Sequence, residues 1–179
     1  MTTTRSLAVQ PTLVVALGSP DRGDDAVGGH VARAVAALGD PRVEVLEHED
    51  PTDLVELWRG RDAVVVVDAT RSGADPGTLR VLGTGAERAP LPEDAWARTG
   101  RGGTHAFGLA AAVELARALR RLPARVTVVG VEAAAFEPGT PLSPAVAAAV
   151  PTAVAAVLDA VAATGLAGDP DRRSADVPG

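Results

Sequence analysis

Residues Ala63–Val67 read AVVVV, a continuous apolar run that ends on a carboxylate, Asp68. A run that is apolar at every position leaves no face for water. It therefore predicts a central strand covered on both sides. A strand covered twice demands layers, with helices above and below one sheet. The remaining segments supply those layers in alternation.

Thr12–Leu17 (TLVVAL) predicts a first buried strand, ended by Gly18 and a turn-rich loop through Asp24. Val27, Val31, Val35 and Leu38 recur at helical spacing, so a helix begins near Asp25 and stops at Gly39-Asp40-Pro41. Val43–Leu46 is a second strand, and Asp50-Pro51 opens a helix through Trp58. Thr78–Leu82 reads as an edge strand, and residues 83–103 as a long mobile loop rich in Gly, Pro and charge. Thr104 is expected to cap a helix running to about Arg121. Val126–Val131 is the last strand. Ser143-Pro144 opens a final helix that Pro151 should restart or kink. The expected fold is α/β, a three-layer α/β/α sandwich with a mostly parallel sheet. Residues 1–10 are expected to be a flexible N-terminus, 11–165 a single domain, and 166–179 a disordered tail.

Two absences exclude much chemistry. All 17 basic residues are Arg, so no lysine serves a phosphate loop, a Schiff base or a general base. With no Cys, disulfides, thiolate metal sites and cysteine nucleophiles are excluded. The net charge of −6 and the lack of a basic stripe argue against nucleic acid. The stretch Pro144–Leu158 is mostly Ala and is interrupted by Pro151, which predicts no bilayer span. A cytoplasmic protein is expected, with no membrane partner.

In sheets of this kind ligands sit beyond the carboxyl ends of the strands. That rule gathers Asp24 and Asp25 after the first strand, Asp68 at the end of the third, and His105 at the start of a helix after the long loop. Two carboxylates and an imidazole suit zinc, nickel or manganese, with a position left open for water or substrate. Each residue alone has a plainer reading. Asp25 and His105 are ordinary first-turn helix residues, and Asp68 an ordinary turn former. Their shared edge favours the functional reading. His30 reads as a surface residue, His48 as a loop or pocket-lining residue, and Glu132 as either exposed or approaching the site. A phosphate loop is contradicted by Asp24-Asp25 standing where Lys-Ser/Thr is required. A phosphoacceptor receiver domain would lack its lysine.

The segments LVVALGSPDRGDDAVGGHVARAV, AVVVVDAT, DPGTLRV, GTHAFGLAAAVELA and VTVVGVEAAAFEPGTPLSPAVAAAVPTAV resemble, in order, those of the hydrogenase maturation endopeptidases. They span most of residues 12–158. The resemblance implies a three-layer fold in which Asp25, Asp68 and His105 match the family's three metal-contacting positions. It implies an endopeptidase that removes a short C-terminal peptide from the nickel-loaded large-subunit precursor of a nickel–iron hydrogenase. The nickel is then supplied by the substrate, and the free protein is expected to hold none of its own. Metal-assisted attack of water, with one carboxylate as base, is the expected chemistry. The alternatives are a non-catalytic metal-sensing partner of the same precursor and, further off, a receiver-like signalling module. The chain departs from the family pattern at Ser19 (usually Asn), at Ala26 (usually Gly) and at Glu49-Asp50-Pro51-Thr52 (usually a Gly-Gly-Thr-like turn).

Overall fold

The structure, a computed structural model, describes residues 10–91 and 108–166. Its sheet has five strands: β1 (Thr12–Leu17), β2 (Val43–His48), β3 (Ala63–Thr70), β4 (Leu79–Thr84) and β5 (Arg125–Glu132). Their spatial order is β2-β1-β3-β5-β4. Only β4 runs antiparallel, paired to β5 at the edge. The parallel strands need crossovers, and α1 (Val27–Ala37), α2 (Leu54–Leu57) and α3 (Leu109–Ala118) provide them; α4 (Pro144–Leu166) follows β5.

Side-chain alternation divides each strand between two cores. On one face Leu13, Val15, Val64, Val66 and Val128 pack against Leu54, Trp58, Leu109 and Val113 of the α2–α3 layer. On the other, Val14, Val65, Val67 and Val129 pack against Val27, Val31, Val146 and Val157 of the α1–α4 layer. The expected three-layer α/β/α sandwich is thus the observed one. Small residues set how closely the layers approach. A Cβ on Gly28 would lie 2.4 Å from the Leu17 carbonyl oxygen and 3.1 Å from that of Val67, so α1 rests directly on the ends of β1 and β3.

Four elements differ from the sequence expectation. First, β3 continues past Val67, so Asp68 lies within the strand instead of after it. The cause is β5, which pairs Asp68 with Gly130 and Thr70 with Glu132. Second, the helix expected from Asp50 to Trp58 is a 3-10 turn, Pro51–Asp53, followed by one α-helical turn. Asp50 caps it by accepting from the Thr52 N–H at 2.8 Å. Third, α3 begins at Leu109, with Gly108 extended before it, and ends at Ala118. Thr104, His105 and most of the expected loop lie outside the described residues, as do most of residues 1–10 and of the tail 166–179.

Fourth, α4 runs unbroken through Pro151 for 23 residues. Its 144–164 stretch has a mean hydropathy of 2.0 and is long and apolar enough to cross a bilayer. The expectation that its Ala content and Pro151 leave no stretch of that length and hydropathy is corrected. Proline removes one backbone hydrogen bond, but Val146, Ala149, Ala153, Val157 and Val161 bury one continuous face on both sides of it. Those contacts hold the helix together where local propensity would divide it.

Candidate active site

The carboxyl ends of β1 and β3 lie side by side at one edge of the sheet. Beyond β1 the chain reverses at Gly18, whose φ of +119° and close approach to the Asp25 carbonyl exclude a side chain. The Ser19 N–H then donates to Asp25 Oδ2 at 2.9 Å. A 3-10 turn, Gly23–Ala26, carries both acids of the Asp24-Asp25 pair.

Adjacent residues on a tight turn cannot face the same way, and the pair divides its work. Asp24 is fully buried. It accepts from the N–H groups of Ala134 (2.8 Å), Ala135 (3.0 Å) and Ser143 (2.6 Å), and from the Ser143 hydroxyl (2.9 Å). Burial alone would raise its pKa. The four donors outweigh that and hold the carboxyl below its ordinary value. Asp24 therefore fastens the turn bearing Asp25 to the loop between β5 and α4. Ser143, expected only as a helix cap, turns its hydroxyl to this task.

Asp25 is partly exposed and faces the strand ends. Asp68 shares the sheet face of Val64 and Val66, on the α2–α3 side, and is half-buried. Its pKa is pushed up to about 8, first by burial and next by the neighbouring Asp25 carboxylate; the Ala69 N–H opposes both. Two of the three expected site residues are thus within electrostatic reach of each other. His105 lies outside the described residues. Among the described residues no three His, Cys, Asp or Glu side chains gather closely enough to hold a metal ion. A carboxyl kept protonated beside a carboxylate is one that a divalent cation would ionise, and carboxylate oxygens are suitable donors for such a cation.

The secondary candidates are resolved differently. His30 is exposed on α1. His48 ends β2, with Nδ1 3.4 Å from an Asp53 carboxylate oxygen. Glu132 neither lies exposed nor enters the site. It is buried and accepts from the Thr70 and Ser72 hydroxyls and from the Ser72 and Gly73 N–H groups, at 2.8–3.0 Å. Burial raises its pKa, but these donors together outweigh it, so the net shift is downward. The turn after β3 is held by Glu132 as the turn after β1 is held by Asp24. Sequence reasoning missed both clamps. The available signal was an acid directly ending an apolar strand, and a doubled acid on a tight turn.

A family model described as hydrogenase maturation protease (HycI) matches residues 30–160, a span that includes Asp68 and begins after Asp25. No curated protein matches the chain. Solved structures do. The hydrogenase maturating endopeptidase HybD from E. coli is 27% identical with a TM-score of 0.70, over 87% of this chain and 94% of that one. An endopeptidase from Escherichia coli solved in solution is 26% identical with a TM-score of 0.72, over 87% and 94%. The NiFe hydrogenase maturation protease HybD from Thermococcus kodakarensis is 28% identical with a TM-score of 0.62, over 84% and 98%. The chain belongs to the hydrogenase maturation protease family and is a peptidase.

Proposed function

We propose that this peptidase removes a short C-terminal peptide from the nickel-loaded large-subunit precursor of a nickel–iron hydrogenase, in the cytoplasm. The observation that carries the reading is the juxtaposition of Asp25 and Asp68 beside the carboxyl ends of the adjacent parallel strands β1 and β3, in a chain of this family. Both acids stand where the family resemblance puts metal-contacting residues, and His105 is the third. The nickel is part of the substrate, and its arrival on the precursor favours the ionised form of Asp68 beside Asp25. Water attacks the scissile carbonyl. As the new O–C bond forms, one carboxylate takes the water proton; the C–N bond then breaks and the proton passes to the departing amine.

The test is cleavage of a nickel-loaded large-subunit precursor, followed as a mobility shift and by mass spectrometry of the released peptide. Wild type should shorten the precursor. Asp25→Asn, Asp68→Asn and His105→Ala should each abolish shortening while leaving the far-ultraviolet spectrum unchanged. Binding without shortening would instead favour a metal-sensing partner. Full activity in His105→Ala would remove that residue from the site.

A further inference from the structure

Half of the twelve described arginines are engaged with acids. Arg33, Arg42, Arg59, Arg61, Arg117 and Arg121 each pair with a carboxylate. Of the six without a carboxylate partner among the described residues, two stand on the loops that follow β1 and β3, beside the candidate site. Arg22 directly precedes the turn bearing Asp25. Its Nε is buried without a hydrogen-bond partner. Arg71 directly follows β3, three residues after Asp68, and is exposed. Its guanidinium lies over the Phe136 ring, 5.1 Å from the centroid.

Arg71 lies over the loop between β5 and α4, and the two residues that follow Arg22 bond to the same loop. The Gly23 N–H donates to the Thr140 carbonyl at 3.1 Å, and the Asp24 N–H to the Ala135 carbonyl at 2.8 Å. Phe136, under Arg71, is the next residue. Glu137 follows it and pairs with neither arginine among the described residues. The Asp24 clamp ties this loop to the β1 side, and the Glu132 clamp fixes the turn beside Arg71. Stacking over a ring holds a guanidinium in place while its N–H edge remains free, a geometry suited to bidentate carboxylate recognition. A buried unpaired donor calls for a partner. The Asp25 carboxylate at this edge also repels acidic substrate groups, which cations at its flank would offset.

We propose that Arg22 and Arg71 form a carboxylate-recognition subsite for the C-terminal segment of the substrate, flanking the cleavage site along the β5–α4 loop. This rests on the endopeptidase reading above. The guanidinium groups bind and orient the segment and exchange no proton with it.

The experiment uses the full chain and two nickel-loaded precursors. One carries the natural C-terminal segment; the other is assembled by peptide ligation so that every Asp, Glu and terminal carboxylate of that segment is an amide. Arg71→Gln should raise KM about ten-fold on the natural precursor with kcat nearly unchanged, the scale of one charge-assisted hydrogen-bonded pair. Arg22→Gln should act in the same direction, and neither replacement should matter on the amide precursor. Because Arg22 is partly buried, its variant is checked by thermal melting, and the exposed Arg71 decides if it fails to fold. Equal losses on both precursors, or no change in KM, would overturn the subsite. If wild type leaves the natural precursor uncut, the endopeptidase reading fails and the subsite falls with it. If wild type cuts and the variants behave as wild type, the subsite alone fails.

Discussion

Replacing Asp24 by Ala removes one carboxylate and strands four donors at once. Three are backbone N–H groups, of Ala134, Ala135 and Ser143, and the fourth is the Ser143 hydroxyl. An unsatisfied buried donor costs roughly 1–3 kcal/mol, and water entering the vacated space recovers part of it. The expected loss is therefore about 4 kcal/mol, well below the sum for four independent groups. For a chain of this size that lowers Tm by about 12 °C. Asp24→Asn keeps an oxygen where Oδ2 accepts three donors but turns an amide N–H₂ toward the Ser143 N–H, so a loss of about 2 kcal/mol is expected. The pH dependence carries a sign. The folded pKa of Asp24 is depressed, so its contribution is present above the ordinary value of 3.8 and is lost as pH falls through the folded value. Thermal melting of the parent and both variants from pH 3 to pH 8 checks all of this. The variants should melt lower than the parent near neutrality and converge with it in acid. An Asp24→Ala protein melting within about 2 °C of the parent at pH 7 would refute the clamp, since that shift corresponds to less than one lost hydrogen bond.

Gly28→Ala places a methyl group 2.4 Å from the Leu17 carbonyl oxygen, so α1 must lift off the sheet; a loss of about 2 kcal/mol in urea unfolding is expected. Asp68 has a raised folded pKa of about 8, so its effect has the opposite sign to that of Asp24. Its contribution is full below about 4 and is lost as pH rises through about 8. Wild-type Tm should accordingly fall between pH 5 and pH 9 more steeply than that of Asp68→Asn, measured without added metal. Pro151→Ala restores an N–H donor to the exposed face of α4 and should stabilise the protein by about 1 kcal/mol, read as a higher urea midpoint.

Much of this architecture is legible one segment at a time. TLVVAL coincides with β1. AVVVV, apolar at each position, implied a strand with two covered faces, and β3 is the middle strand of five. The strand-to-helix alternation implied parallel pairing, and the strand-end rule put Asp25 and Asp68 at one edge of the sheet, where they are neighbours. These features survive because hydrophobic periodicity and turn chemistry are local properties of the chain.

What was not legible depends on partners distant in sequence. Asp68 looks like the end of β3, but Val131 and Glu132 extend the ladder to Ala69 and Thr70. Asp24 and Asp25 are indistinguishable as neighbouring acids. One becomes a buried clamp because residues 134–143, more than a hundred positions away, bring three N–H groups to it. Pro151 reads as a break, but the face it interrupts is buried against α1 and the sheet. Local sequence states which backbone conformations are inexpensive. Which carboxylate meets donors and which meets another carboxylate follows from the folding of the β5–α4 loop over the strand ends, because burial and charge act through space and not along the chain.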